Sequence, residues 1–133
     1  MDWGLGCGPL KTIASRAGRS CAAAAAKIAL AGPWTLTAGL EHPRGDKVLP
    51  DSGARRDVTQ SLTQGIADLR DELARRLPDL TVIIQLDEPS LTAVLTARVP
   101  TASGYRTHRA VDRAVVEETL RGLIAVAGDN PVV

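Results

Sequence analysis

The chain has 133 residues, 44% of them hydrophobic, enough to build the core of one ordinary domain. Sixteen basic residues against fifteen acidic ones leave a formal charge of +1, which gives no electrostatic ground for binding nucleic acid or an anionic membrane. Phe is absent, and two Trp and one Tyr do not make a stacking platform for single strands. The N-terminal apolar residues are interrupted by glycine, lysine and arginine, so neither a signal peptide nor a membrane span is expected, and the setting expected is cytoplasmic. Cys7 and Cys21 lack the paired spacing of a zinc knuckle or redox motif and read as incidental.

Residues 1–26 are set apart as a poorly ordered leader: glycine-rich, then basic, then the run Ala22 to Ala26, which carries no large apolar residue to bury. From Lys27, Ile28 and Leu30 alternate with alanines before Gly32-Pro33, which predicts a short strand and a turn. Pro33 suits the first turn of a helix because its missing N–H would have no partner there, so Trp34 to Glu41 is a candidate short helix. Asp51 or Ser52 can cap a long helix from about Ala54, in which Val58, Leu62, Ile66, Leu69, Leu73 and Leu77 form one apolar stripe. Asp71 with Arg75 and Glu72 with Arg76 are expected i to i+4 pairs on its solvated side.

After Pro78 a strand begins near Thr81. Val82, Ile84 and Leu86 share one face, and Ile83, Gln85 and Asp87 share the other. Its run into Asp87-Glu88-Pro89 is the pattern of a parallel strand whose last residues reach the mouth where barrel enzymes bind ligands. A second long helix is predicted from an Asp112 cap to Gly128, and Asn130-Pro131-Val132-Val133 resembles the start of another strand. The order strand, helix, strand, helix, strand predicts a parallel α/β fold: a partial (β/α)8 barrel of the TIM type, with about three strands and two long helices over residues 27–133.

Adjacent Asp87 and Glu88 do not suit a glycosidase, whose two carboxyls flank one bond about 5 to 9 Å apart, because neighbouring strand side chains point to opposite faces. Asp87 instead suits a cationic group such as an amine, with Gln85 supplying a hydrogen bond; the competing reading is a turn that caps the next segment. Trp34 is read either as packing or as an aromatic platform at the same mouth. Gly104 to Arg109 is the densest polar loop, with an Arg and a His suited to an anion or simply to solvent.

Leu30-Ala31-Gly32-Pro33-Trp34-Thr35-Leu36 and Gln85-Leu86-Asp87-Glu88-Pro89-Ser90-Leu91, about fifty residues apart with a helix between, resemble the C-terminal catalytic barrel of cobalamin-independent methionine synthase. That family has a Gly-Pro-x-Thr turn and a Gln-x-Asp-Glu-Pro-Ala-Leu segment; this chain differs at Trp34 and Ser90. The resemblance implies a zinc-dependent methyltransferase, a 5-methyltetrahydropteroyltriglutamate-homocysteine S-methyltransferase, whose partners are methyl-tetrahydrofolate and homocysteine. Asp87 inherits contact with the homocysteine amino group; Glu88, Gln85, Trp34 and Thr35 become further substrate-binding candidates. The family's zinc ligands, a His-x-Cys pair and later residues, match nothing up to Val133, so a fragment that neither holds zinc nor transfers methyl groups alone is expected. Competing readings are a related barrel methyltransferase with another thiol or corrinoid donor, and a small non-catalytic α/β binding module.

Overall fold

The computed structural model describes residues 24–43 and 45–128. Six elements follow one another: β1 (Ala24–Ala31), α1 (Pro33–Gly39), α2 (Ser52–Arg76), β2 (Leu80–Asp87), α3 (Leu91–Leu95) and α4 (Arg113–Ala127). β1 and β2 pair in parallel, in a register running from Ala24 opposite Leu80 to Ala31 opposite Asp87, and form a two-stranded sheet. The result is a mixed α/β unit with four helices; two strands are described, where the sequence predicts about three. Residues 130–133, expected to begin the third, and residues 1–23 of the expected leader lie outside the described residues. Among the described residues no helix is long and apolar enough to cross a membrane.

The two long helices form where pattern and capping agree. The Asp51 carboxylate accepts the Ala54 N–H at 3.0 Å to start α2, and Asp112 accepts the Ala114 N–H at 2.7 Å to start α4. Gly128 stops α4 with φ at +105°, a left-handed conformation that a side chain resists, and a Cβ there would lie 2.8 Å from the Arg70 Nη2. That guanidinium donates to the Val126 carbonyl at 2.6 Å, tying α2 to the last turn of α4. Glu72 pairs with Arg76 as expected, but Arg75 also turns to Glu72 at i+3 and does not pair with Asp71.

Ala24 to Ala26 are strand, which corrects the expected leader boundary: they pair with Leu80 to Val82, and this tertiary pairing outweighs the weak helix preference of alanine. The two faces of the sheet differ. Ile84 and Leu86 join Ile66 of α2 and Leu123 and Ala127 of α4 in one core cluster, with Leu30, Leu62 and Val82 packed against it. The opposite face shows exposed Ala25, Lys27, Ala29 and Ala31 on β1, half-buried Ile83 and Gln85 on β2, and exposed Asp87. A second cluster of Trp34, Leu49, Val94, Val99 and Val116 joins the loops to α1, α3 and α4.

Leu123 is 1% exposed at the centre of the sheet-helix cluster, whereas Tyr105 is 92% exposed. Leu123→Ala is expected to lower stability by about 2–5 kcal/mol through lost burial and a cavity. Tyr105→Ala is expected to change it by no more than about 0.5 kcal/mol. Urea midpoints compared across the two variants check this, and equal losses would contradict the burial pattern.

Candidate functional site

The two segments singled out by sequence meet at the carboxyl ends of β1 and β2. Gly32, just past β1, donates its N–H to the Asp87 carbonyl at 2.9 Å, extending the strand pairing by one step. α1 then begins without any capping side chain on its own N-cap residue, Gly32. A helix start leaves its first N–H groups without intrahelical partners. Pro33 has none to satisfy. Trp34 N–H donates to Glu88 Oε1 at 3.0 Å, Thr35 N–H and Oγ1 both donate to Glu88 Oε2 at 2.7 Å, and Leu36 N–H returns to the Gly32 carbonyl at 3.0 Å. Every donor of that first turn has a partner, and Glu88 supplies the cap from 53 residues away along the chain.

The arrangement fixes the residue at position 32. A Cβ on Gly32 would lie 2.7 Å from Glu88 Cγ and closer still to its carboxyl group. The backbone there, φ −78° and ψ 171°, is one that any residue adopts, so the demand for glycine is steric and comes from Glu88. Thr35 completes the joint, its Oγ1 accepting the Ser90 N–H at 3.3 Å.

Asp87 and Glu88 diverge, as strand alternation predicts. Glu88 turns toward α1, while Asp87 stays exposed on the bare face of the sheet. The Gln85 amide, two residues earlier on that face, donates to Asp87 Oδ1 at 2.5 Å and orients the carboxylate. Leu86, Asp87, Glu88 and Pro89 line a wide, open depression at this end of the sheet. Chemically, Asp87 offers one oriented anionic acceptor in contact with solvent, suited to an ammonium group, and its remaining oxygen is available.

Of the five residues proposed from sequence, Asp87 lines that depression with Gln85 bonded to it, and Glu88, Thr35 and the Trp34 backbone come together in the joint. The Trp34 side chain reaches neither Asp87 nor Gln85. It is 2% exposed and packs with Leu49, Val94, Val99 and Val116, so the platform reading at the Asp87 mouth gives way to the packing one. Its indole Nε1 is buried without a hydrogen-bond partner.

The polar loop Gly104 to Arg109 has a structural use that sequence did not reveal. His108 is buried, and its Nε2 lies 3.1 Å from Asp46 Oδ1, which also accepts the N–H of Lys47 at 2.7 Å and of Ala102 at 2.8 Å. The Lys47 N–H is the largest influence holding the Asp46 carboxyl below the usual carboxylate value; the Ala102 N–H and the charge and hydrogen bond of His108 act the same way, and partial desolvation opposes them. Among the described residues, no group of three or more His, Cys, Asp or Glu side chains is placed to hold a metal ion. Comparison with family models, with curated proteins and with solved structures finds no match to the chain.

Two outcomes follow from this geometry. Gly32→Ala and Glu88→Ala are each expected to destabilise the fold by about 1–3 kcal/mol, the first by overpacking and the second by leaving three donors without their acceptor. Because the three atoms nearest the added methyl all belong to Glu88, the double variant is expected to cost clearly less than the sum, and additive losses in a denaturation cycle would sink the steric account. For Asp46, a folded-state pKa below 3.8 means a contribution present above that value and lost as pH falls through the folded-state pKa. The stability gap between the wild-type chain and Asp46→Asn is therefore expected at neutral pH and to close on acidification, as urea midpoints at the two pH values would record.

Proposed function

We propose that the chain carries the amine-reading part of the substrate site of a β/α-barrel methyltransferase resembling cobalamin-independent methionine synthase, with Asp87 as the group that holds the amino end of homocysteine. The observation that carries this reading is the joint between the two segments on which the resemblance rests: Glu88 of the second grips Trp34 and Thr35 of the first at the carboxyl ends of adjacent parallel strands. Ligand sites of barrels lie at that end of their strands.

The sheet supports the same reading. Helices α2 and α4 cover one face, and the other carries Lys27, Gln85 and Asp87, as the inward face of a partial barrel would. In this reading Asp87 holds the ammonium by charge and hydrogen bond, Gln85 fixes the carboxylate rotamer, and Glu88 and Thr35 act as positioning residues through α1. In the family, zinc supplies the activated thiolate. The roles assigned to Asp87, Gln85, Glu88 and Thr35 are those of substrate binding and positioning.

The reading is tested by calorimetric titration of the full chain with homocysteine and with 4-mercaptobutyrate, which lacks the amine. Homocysteine is expected to bind and the analogue to fail, with Asp87→Asn weakening homocysteine by roughly tenfold or more. Equal binding of the two thiols, or an Asp87→Asn variant with unchanged affinity, would remove Asp87 from this role.

A further inference from the structure

A trough runs along the other side of α1, between the first turns of α2 and α4. One part, about 370 Å³, is lined by Trp34, Ser52, Arg55, Thr59 and Val115 among others. It continues past Arg55 and Val115 into a second part of about 460 Å³ that reaches His108, Arg109 and Asp112. These are volumes that small organic ligands occupy.

Its charge is lopsided. Arg55, Arg56 and Arg109 line the trough, and among the described residues none of the three forms an ion pair with a carboxylate. The Arg55 guanidinium is held in place by a 2.6 Å bond from Nη1 to the Leu49 carbonyl, leaving its other N–H groups for a ligand. The nearby aspartates, Asp51 and Asp112, are each engaged by a helix N–H, and Asp51 also feels the Arg55 charge. The hydroxyls of Thr59 and Thr119 donate to the Arg55 and Val115 carbonyls of their own helices, whereas the Ser52 and Thr107 hydroxyls and the Gln60 amide line the trough without a side-chain hydrogen bond among the described residues.

The apolar part of the wall has its own signature. Trp34, which lines the trough, carries the one buried side-chain polar atom without a partner among the described residues, its Nε1. An unpaired buried donor is costly and asks for an explanation. Exposed Val115, with the small part of Trp34 that reaches the trough, lies beside the held Arg55 guanidinium and exposed Arg56, a combination that matches a ligand with an apolar ring and one anionic group.

We propose that this trough is a binding site for a small aromatic anion, a phosphate or carboxylate on a ring, with Arg55 and Arg56 holding the charge and Val115, together with the small exposed part of Trp34, the ring. The site does not depend on the methyltransferase reading, since Asp87 lines a different depression and takes a cation.

The probe is phenyl phosphate, titrated into the ¹⁵N-labelled full chain carrying Trp3→Phe, so that the single remaining indole N–H resonance belongs to Trp34. That resonance is expected to shift saturably with a Kd of about 1 mM or tighter, and phenol is expected to leave it in place. Arg56→Gln and Arg109→Gln change exposed side chains and keep the fold, which the dispersion of the same spectrum verifies. Arg56→Gln is expected to weaken phenyl phosphate by roughly tenfold, and Arg109→Gln by less. An equal response to phenol, an unchanged Kd in Arg56→Gln, or no saturable shift would each overturn the site. Inorganic phosphate in place of the ester distinguishes a ring-dependent site from a bare anion site: the proposal expects it to bind more weakly, and equal affinity would count against the role of Trp34.

Discussion

The carboxylate of Glu88 is the contact on which this small fold turns. A two-stranded parallel sheet has little cooperativity of its own, and α1, at seven residues, is too short to be stable in isolation. Glu88 joins the two. It follows β2 directly and satisfies two N–H groups and one hydroxyl at the start of α1, so the end of one strand fixes the chain that leaves the other. The consequence runs into the core: with its N–H held at Glu88, Trp34 sends its ring among Leu49, Val94, Val99 and Val116 and brings α1, α3 and α4 into register. Glycine at 32 and proline at 33 follow from the same joint, one clearing space for the carboxyl group and the other removing a donor that it does not reach.

A second consequence is the freedom of Asp87. With Glu88 directed to α1, alternation leaves Asp87 on the uncovered face, where Gln85 is the side chain that bonds its carboxylate among the described residues. Parallel sheets are ordinarily covered on both faces, because strands joined by helical crossovers bury both. Here the covered face carries Ile84 and Leu86, and the uncovered one carries small side chains on β1 beside Lys27, Gln85 and Asp87. An exposed carboxylate gains little from Coulomb attraction alone in water, so the role proposed for Asp87 rests on the rotamer that Gln85 imposes.

Much of the framework is legible in the sequence because several local signals agree there. The α2 stripe has helical spacing and an Asp cap; α4 has an Asp cap and a glycine stop; and the β2 alternation separates Ile84 and Leu86 from Gln85 and Asp87. The role of Glu88 is not legible as periodicity, since it depends on a contact with residues more than fifty positions away. One local clue exists: Gly32-Pro33 opens a helix with no side chain able to cap it, which leaves donors in need of a distant acceptor. The use of Ala24 to Ala26 as strand and the burial of Trp34 are tertiary outcomes for the same reason. Asp46 and His108, 62 residues apart, belong with them: two loops of polar composition clasp each other, a contact that neither loop's local pattern reveals.

The joint also decides how the two depressions relate. Trp34 is bound through its backbone to Glu88, which lines the open depression beside Asp87, and its side chain lines the trough between α2 and α4. One residue thus has its main chain in the support of a cation-suited surface and its ring in the wall of an anion-suited one. The opposite preferences arise from local charge on a chain that is nearly neutral overall: a single carboxylate oriented by an amide on one side, and guanidinium groups without carboxylate partners among the described residues on the other. A net charge of +1 gives little overall attraction for either kind of ligand, so both proposed sites rest on contacts within about a Debye length, at Asp87 in one and at Arg55 and Arg56 in the other.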